Sequence, residues 1–269
     1  MEMNDQGEEK RHNHGNIKIL LLLIVIMCAA VQMIGERQSY ADSEQNYDEL
    51  EKQAVTKTEN TEENKKEISA TNQKYVKERQ APITVDFNSV KHRKEGENVI
   101  AWIYVEAVDV SYPILQGDTN QQYLRKNLDG EYAVSGSVFM DAENSSDFTD
   151  PNTIIFGHNM ADGSMFGKLK RFSLNNALQI SPYVWVITEQ QEYCYQIFSV
   201  QIAQVTDECY TLFSSRGNRF VEFLKRMRQD SIEETGTFEF SETDNILTLS
   251  TCNGNNTSSR YVIQAIRIQ

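Results

Sequence analysis

The stretch Thr248-Leu249-Ser250-Thr251-Cys252 lies near the C-terminal end of this chain of 269 residues. It continues the apolar pair Ile246-Leu247, and such a run of β-branched and aliphatic residues predicts a strand. The chain then enters Asn253-Gly254-Asn255-Asn256, a cluster that is typical of a loop. Cys252 is therefore expected at a strand end, held by the sheet and open to a substrate, whereas structural cysteines are usually buried within an element.

Similar strand signals recur upstream, separated by Gly, Pro and Asn. The predicted strands cover residues 99–105, 108–115, 136–140, 153–156, 183–188, 193–205, 246–251 and 260–268. Short helical segments are expected at residues 86–94, 120–127 and 165–172, and an amphipathic helix at residues 220–229. About eight short strands with few helices indicate a β-barrel or a β-sandwich.

The first 82 residues differ in composition and divide into three regions. Residues 1–16 are polar and are predicted to form a cytoplasmic tail. Residues 17–34 are apolar and would be about 27 Å long as a helix, which suits a transmembrane signal anchor. Residues 35–82 are polar without a sustained apolar period, so they predict an extracellular stalk. The folded domain is then expected over residues 83–269.

The orientation of this anchor follows from Lys10 and Arg11, which precede the apolar segment and belong on the cytoplasmic side. The alternative is a cleaved signal peptide, since Ser39-Tyr40-Ala41 offers small residues at a cleavage site. A lipoprotein anchor is disfavoured because Met27 stands before Cys28, where a small residue is expected. In either case the bulk of the chain is exported.

The net charge restricts the possible binding partners, and the number of cysteines restricts the possible disulfides. The net charge of -13 argues against nucleic acid or anionic lipid as a main partner, because binding phosphate requires the opposite sign. Three cysteines, Cys194, Cys209 and Cys252, lie outside the apolar segment, so at least one thiol of the exported part is unpaired. A disulfide between Cys194 and Cys209 is left open.

A cysteine nucleophile needs a group that manages its proton and a donor for the oxyanion. Of the four histidines, His158 alone follows a predicted buried strand. The donor could be Arg260 or Arg267, which lie seven residues apart in the last strand and hence on opposite faces. Arg260 is the nearer to the loop after Cys252. Metal-binding spacings and phosphate-binding glycine motifs are lacking in the sequence, so no metal or cofactor is predicted.

Taken together, several motifs in this order resemble the sortase family, and within it class B. The first are Ile155-Phe156-Gly157-His158-Asn159-Met160, the stretch ending in Cys252, and Arg260-Tyr261-Val262-Ile263-Gln264-Ala265. Others are Ala101-Trp102-Ile103, Tyr112-Pro113-Ile114-Leu115-Gln116-Gly117, Asn120-Gln121-Gln122-Tyr123-Leu124, Gly136-Ser137-Val138-Phe139-Met140-Asp141 and Met165-Phe166. The amphipathic helix at residues 220–229 matches the helix that class B inserts, and the resemblance covers residues 83–269.

The resemblance implies a mainly β (α+β) fold, an eight-stranded sortase-type β-barrel with N-terminal helices and a helix inserted between the sixth and seventh strands. It also implies a Cys–His–Arg transpeptidase outside a Gram-positive cell membrane. Cys252 would attack the threonine carbonyl of a C-terminal sorting motif and form a thioacyl-enzyme. His158 would be the general acid and base, and Arg260 would hold the substrate backbone or the oxyanion.

The resemblance further implies the partners, which are surface proteins that carry the sorting motif and an amine of the peptidoglycan precursor. Asn120, Leu124, Ser250 and Thr251 would line the substrate groove. The chain departs from the family at Ala101, where glycine is usual, and at Asn253, where an acidic residue is frequent. Alternatives are a pilin-polymerising sortase, a hydrolytic cysteine peptidase and a non-catalytic surface adhesion or sensor domain.

Overall fold

The computed structural model describes residues 6–58, 79–160, 162–174, 176–253 and 256–269, without the side chains of residues 6–17, 36, 37, 39–43, 252, 253, 256 and 257. The helices are α1 (Gln6–Ala54), α2 (Phe87–Lys91), α3 (Arg171–Leu174), α4 (Ala177–Ile180) and α5 (Asn218–Gln229). The strands are β1 (Val55–Lys57), β2 (Ile83–Val85), β3 (Val99–Val105), β4 (Val110–Leu115), β5 (Val138–Met140), β6 (Asn152–Phe156), β7 (Tyr183–Ile187), β8 (Glu192–Gln204), β9 (Ile246–Asn253) and β10 (Asn256–Arg267).

Strands β3 to β10 form a closed barrel in the order β10-β8-β7-β3-β4-β5-β6-β9. Two neighbouring pairs, β4–β5 and β6–β9, are parallel, and the other pairs are antiparallel. Closure leaves no unpaired edge in this sheet. The predicted eight-stranded barrel is confirmed, and so is the helix between its sixth and seventh strands, which is α5.

Two groups of buried side chains stabilise the barrel. The larger includes Trp102 and Trp185, which are 0% and 1% exposed. The smaller lies under α5, whose Phe220 and Phe223 pack with residues of β8 and β10 such as Phe198. The apolar face of α5 is the one that its helical spacing predicts. This packing fixes the connection from β8 to α5 against the outside of the barrel.

The helix α1 extends well beyond the predicted membrane segment. It runs unbroken to Ala54, and the sequence holds no proline before Pro82 that would end it earlier. Tyr47, Leu50 and Ala54 lie at helical spacing on one face and are buried in the larger core. This finding corrects the predicted stalk over residues 35–82, because its first part is helical and ends inside the folded domain.

Two further differences concern the ends of the N-terminal region. Helix α1 begins at Gln6, so most of the predicted polar tail at residues 1–16 has a helical backbone. Strand β1 follows α1 directly and pairs with β2, although no strand was predicted at residues 55–57. The remainder of the predicted stalk, residues 59–78, lies outside the described residues.

One helical segment among the described residues, Lys18–Gly35, is long and apolar enough to cross a membrane, by length and composition. Its mean hydropathy is 2.4 and none of it is buried against the rest of the chain. The segment overlaps the predicted anchor at residues 17–34.

Smaller corrections concern two predicted elements. The strand predicted at residues 108–115 begins only at Val110, because Glu106–Val108 form a 3-10 turn and Asp109 has a left-handed φ of 51°. The helix predicted at residues 165–172 is a 3-10 turn, Phe166–Lys170, followed by α3. Both changes leave the barrel intact.

Candidate active site

The site is built on the parallel pair β6 and β9. In their register Phe156 is the partner of Ser250, and the Gly157 amide extends the pairing by donating to the Ser250 carbonyl at 3.1 Å. Parallel neighbours end at the same edge of a sheet. His158 and Cys252 each follow the last pair by two residues, so both backbones leave the barrel at one edge.

The third predicted group reaches this edge through β10. Arg260 is the antiparallel partner of Cys252, and residues directly opposite each other present their side chains on the same face. The side chain of Cys252 lies outside the described part of the chain, whereas Arg260 is half-buried and lines the same cleft as His158. The topology thus brings the three predicted residues together.

A cleft of about 340 Å³ opens at this edge of the barrel. All the predicted site residues whose side chains are described line it, namely Asn120, Leu124, His158, Ser250, Thr251 and Arg260. The sequence did not predict the rest of the lining, which consists of Gln121, Phe139, Asp141, Ile154, Phe156, Gly157, Val205 and Tyr210. Apolar walls with a few convergent polar groups are typical of a binding site for an organic substrate.

The imidazole of His158 is fixed by one hydrogen bond, from Nε2 to the Leu124 carbonyl at 2.8 Å. A carbonyl oxygen only accepts, so Nε2 carries the proton and Nδ1 is the basic nitrogen of the neutral ring. Burial lowers the pKa of His158, and the positive charges of Arg125 and Arg260 act in the same direction. The ring is therefore mainly neutral at pH 7.

The Leu124 carbonyl owes its position to Gly136. This glycine has a φ of +55°, and a Cβ there would lie 2.5 Å from the carbonyl oxygens of Tyr123 and Leu124. The Ser137 amide completes the contact by donating to the Tyr123 carbonyl at 3.0 Å. A side chain at position 136 would displace the acceptor on which the His158 tautomer depends.

Tyr210 is the principal site residue that the sequence did not reveal. Its hydroxyl lies 2.8 Å from Ser250 Oγ, and its ring stacks on Phe156 with centroids 6.5 Å apart and planes 18° apart. Burial raises the pKa of Tyr210, so the hydroxyl keeps its proton at neutral pH. A single aromatic residue in a connection has no period to mark it, and its role emerges only because the β8–α5 connection folds back over β9.

Thr251 contributes a buried hydroxyl to the cleft. The residue is 2% exposed, and its Oγ1 has no hydrogen-bond partner among the described residues. A buried polar atom without a partner is costly, and an incoming polar group can remove that cost. The hydroxyl is thus available to a ligand in the cleft.

Asn120 makes two hydrogen bonds within the protein through its side-chain amide. Its Nδ2 donates to Asp141 Oδ2 at 2.9 Å, and its Oδ1 accepts from the Ala142 amide at 2.8 Å. Asn120 therefore shapes the wall of the cleft. Leu124, at 38% exposure, offers an apolar side chain on the same side.

Of the two arginines in the last strand, Arg260 is the one that lines the cleft. Arg267 lies away from the cleft, where its guanidinium donates to the Phe148 carbonyl and sits 4.5 Å from the centroid of the Tyr193 ring. Seven residues of strand separate the two arginines, so the alternation of side chains puts them in different surroundings.

Two other cysteines of the barrel region do not line the cleft. Cys194 and Cys209 are both buried with free thiols, so the disulfide left open by the sequence is not formed. Burial raises the pKa of each thiol to about 12, which leaves neither as a thiolate at neutral pH. Within the described part of the chain, no group of three or more His, Cys, Asp and Glu side chains is placed to hold a metal ion.

Comparison with known proteins gives one consistent family. The family model described as the sortase domain matches residues 103–268. Among curated proteins, Sortase B of Listeria monocytogenes is 34% identical over 162 residues, which are 60% of this chain and 65% of that protein. The match thus spans somewhat less than two thirds of the Listeria protein.

Solved structures agree with this similarity. The X-ray structure of Clostridium perfringens sortase B has a TM-score of 0.62 and 29% identity, covering 68% of this chain and 100% of the other. A Staphylococcus aureus sortase B–substrate complex also has a TM-score of 0.62, with 26% identity over 68% of this chain and 84% of the other.

Proposed function

Since the chain belongs to the sortase family of cysteine transpeptidases, with class B relatives, we propose that it attaches surface proteins to the cell wall. It cleaves a C-terminal sorting motif after threonine, forms a thioacyl-enzyme on Cys252 and transfers the protein to an amine of the peptidoglycan precursor. The observation that carries the proposal is the meeting of the β6, β9 and β10 ends, which groups His158, Arg260 and the Cys252 backbone at one cleft.

Acylation begins when the Cys252 thiol gives its proton to the basic nitrogen of His158. The thiolate sulfur attacks the threonine carbonyl carbon, and the tetrahedral intermediate breaks its C–N bond. The departing amine takes the proton from the imidazolium, which leaves a thioester on Cys252. The acceptor amine then attacks the thioester and gives a proton to His158, and the sulfur leaves as thiolate and regains that proton. One peptide bond is exchanged for another, and no cofactor takes part.

The other residues of the cleft serve binding and charge stabilisation. Arg260 donates to the carbonyl oxygen or to the oxyanion that develops from it, which is the role suited to a guanidinium that never deprotonates. The buried Thr251 hydroxyl hydrogen-bonds a polar group of the peptide. Leu124 and Tyr210 give the apolar contacts, and Ser250 fixes the tyrosine hydroxyl.

The membrane assignment is supported by the apolar segment Lys18–Gly35 and by the basic residues Lys10 and Arg11 before it. With that charge asymmetry the N-terminus is cytoplasmic and the catalytic domain extracellular, as a single-pass protein. Helix α1 continues from this segment to Ala54, so the anchor leads directly into the barrel. The location matches substrates that are exported with a sorting motif.

The test is to incubate the full chain in detergent with a library of threonine-containing sorting pentapeptides, with and without an oligoglycine or a diaminopimelate-type amine. Mass spectrometry is expected to find an adduct on Cys252 and a ligated product that needs the amine. Cys252→Ala abolishes both, whereas Cys194→Ala, which removes a buried thiol elsewhere, keeps both.

Other outcomes would replace the proposal. Peptide cleavage without any ligated product identifies a hydrolytic peptidase. Ligation only to a lysine side chain of a pilin subunit identifies a polymerising sortase. Absence of any adduct across the library, with a folded protein, favours the non-catalytic adhesion or sensor domain.

A further inference from the structure

We infer that Asn152, buried beneath the cleft, is a positioning residue that holds Tyr210 against the strand of the nucleophile. The inference rests on the proposed function, because Tyr210 matters only if the cleft binds a peptide. Asn152 is the first residue of β6 and is 1% exposed. It does not line the cleft itself, so any effect on substrate passes through another residue.

The alternation of β6 places Asn152 in one row with Ile154 and Phe156, which do line the cleft. Below the cleft, this row meets the segment that connects β8 to α5. Asn152 Nδ2 donates to two carbonyls there, of Cys209 at 3.2 Å and of Thr211 at 3.1 Å. These carbonyls flank Tyr210 on both sides, so one amide group fixes the backbone from which the tyrosine projects.

The acceptor side of Asn152 is also occupied, which sets the orientation of its amide. Thr248 Oγ1 donates to Asn152 Oδ1 at 2.7 Å, and Gln264 Nε2 donates to Thr248 Oγ1 at 3.2 Å. Gln201 Nε2 in turn donates to Gln264 Oε1 at 3.1 Å. This chain of buried hydrogen bonds leaves both Nδ2 protons of Asn152 directed at the segment. Satisfied buried networks of this kind favour a single arrangement.

Other contacts of the segment restrain Tyr210 less directly. The amides of Tyr210 and Thr211 bond within the turn itself, to the carbonyls of Asp207 and Glu208. The Arg226–Glu208 ion pair is exposed to solvent, and such pairs contribute little. Asn152 ties the segment to β6, the same strand that carries Phe156 under the tyrosine ring. Its amide therefore fixes the distance between the Tyr210 hydroxyl and Ser250, two residues before Cys252.

The experiment uses the full chain in detergent and a double-mutant cycle between position 152 and position 210. Asn152→Leu removes both donors at similar size, and Asn152→Ala is the second variant in case the leucine variant does not fold. The matched control is Ser111→Ala, which removes the acceptor of a buried Trp102 hydrogen bond in β4, outside the hydrogen-bond chain and the segment. Hydrogen exchange of the Tyr210 and Thr211 amides is measured without peptide, and kcat/KM with a sorting peptide.

Loss of two buried hydrogen bonds is expected to raise exchange at these amides and to lower kcat/KM by about tenfold. In a Tyr210→Ala background, the Asn152 substitution should lower kcat/KM by less than about twofold further, since coupled residues are not additive. Ser111→Ala lowers the melting temperature but changes neither readout.

Unchanged exchange at Tyr210 and Thr211 would overturn the inference, and so would full additivity of the two substitutions. A shift of both readouts by Ser111→Ala as well would also overturn it, because that pattern would indicate a general loosening of the barrel. If the wild-type chain turns over no peptide, the proposed function has failed, and the exchange measurement alone decides whether Asn152 fixes the segment.

Discussion

His158 is held in one tautomer by the Leu124 carbonyl and kept mainly neutral by burial. A neutral imidazole at rest is the form that can accept the thiol proton in the proposed acylation step. The residue proposed to transfer protons is also one whose charged form the fold disfavours. A substitution of His158 is therefore expected to change the pH dependence of stability as well as the kinetics.

The pH dependence of stability follows from the sign of this shift. The folded pKa of His158 is lowered from 6.5, so below that pH the unfolded chain binds a proton that the folded chain resists. The contribution of the neutral His158 ring to the free energy of unfolding is fully present above pH 6.5. It is lost as the pH falls through the lowered pKa of the folded state. Between pH 7.5 and 5, the wild type should lose more free energy of unfolding than His158→Asn. Urea titrations followed by the fluorescence of Trp102 and Trp185 measure it.

The matched control is His92→Asn, at a solvent-exposed position near α2. It should lose as much free energy of unfolding as the wild type over the same pH range, because His158 and its surroundings are unchanged. Equal losses in the wild type and His158→Asn would contradict the link between burial of His158 and acid sensitivity.

Gly136 gives a second prediction at the residue scale. Gly136→Ala meets both a left-handed backbone and two carbonyl oxygens 2.5 Å from the new Cβ. The expected loss is about 2–4 kcal/mol of unfolding free energy, with slower acylation because the Leu124 carbonyl moves. Gly163→Ala has a φ of +85° but nothing within 4 Å, so it should lose only about 1 kcal/mol and acylate normally. Urea unfolding and the acylation rate separate the two, and equal losses would refute the role of the close contact.

Among the elements, α5 shows most clearly how the spacing of apolar residues determines which face of a helix is buried. Phe223 is 1% exposed and its ring centroid lies 4.9 Å from that of Phe213. Phe223→Ala should lower the free energy of unfolding by about 3–5 kcal/mol. Lys225→Ala, on the exposed face of the same helix, should change it by less than about 0.5 kcal/mol. Urea midpoints compare the two, and similar values would mean that α5 contributes little to the barrel.

The same contrast explains what sequence alone predicts. The strands are marked by runs of β-branched and aromatic residues and α5 by helical spacing, so the number of strands and the inserted helix are predictable. The parallel pairing of β6 with β9 is not, since pairing is decided by contacts between distant segments. That pairing brings the His158 and Cys252 backbones to one edge of the barrel, and the motif resemblance implied only that the two residues share a site.

Two other features escaped prediction for physical reasons. The face of α1 formed by Tyr47, Leu50 and Ala54 is only three apolar residues in a polar stretch, so its period is too weak to stand out. Asn152 and Tyr210 lie far apart in sequence, and no sequence pattern marks the hydrogen bonds through which they act. The spacing of apolar residues in α1 could have predicted its buried face. The contact between Asn152 and the segment that carries Tyr210 is evident only in the folded chain.

At the scale of the whole molecule, a chain of net charge -13 joins the apolar helical segment Lys18–Gly35 to the barrel. Helix α1 belongs to both parts, because it contains Lys18–Gly35 and its last turns lie in the core. Tyr47 also donates from this helix to the Gly136 carbonyl at 3.0 Å, next to the turn that holds the His158 acceptor. The functional boundary of the catalytic unit therefore falls within α1, before Tyr47.

A comparison of two truncations tests this boundary. A chain of residues 44–269 keeps the buried face of α1 and the β1–β2 pair, whereas a chain of residues 83–269 loses both. The shorter chain should lose about 4 kcal/mol or more of unfolding free energy, since it lacks the fully buried side chain of Leu50 together with the rest of this face. The chain of residues 44–269 should be absent from the membrane fraction. It should nevertheless ligate soluble peptides at the same rate as the full chain. Within it, Leu50→Ala should be destabilising and exposed Glu49→Ala neutral. Urea midpoints, membrane pelleting and ligation rates measure these outcomes, and equal stability of the two truncations would place α1 outside the catalytic unit.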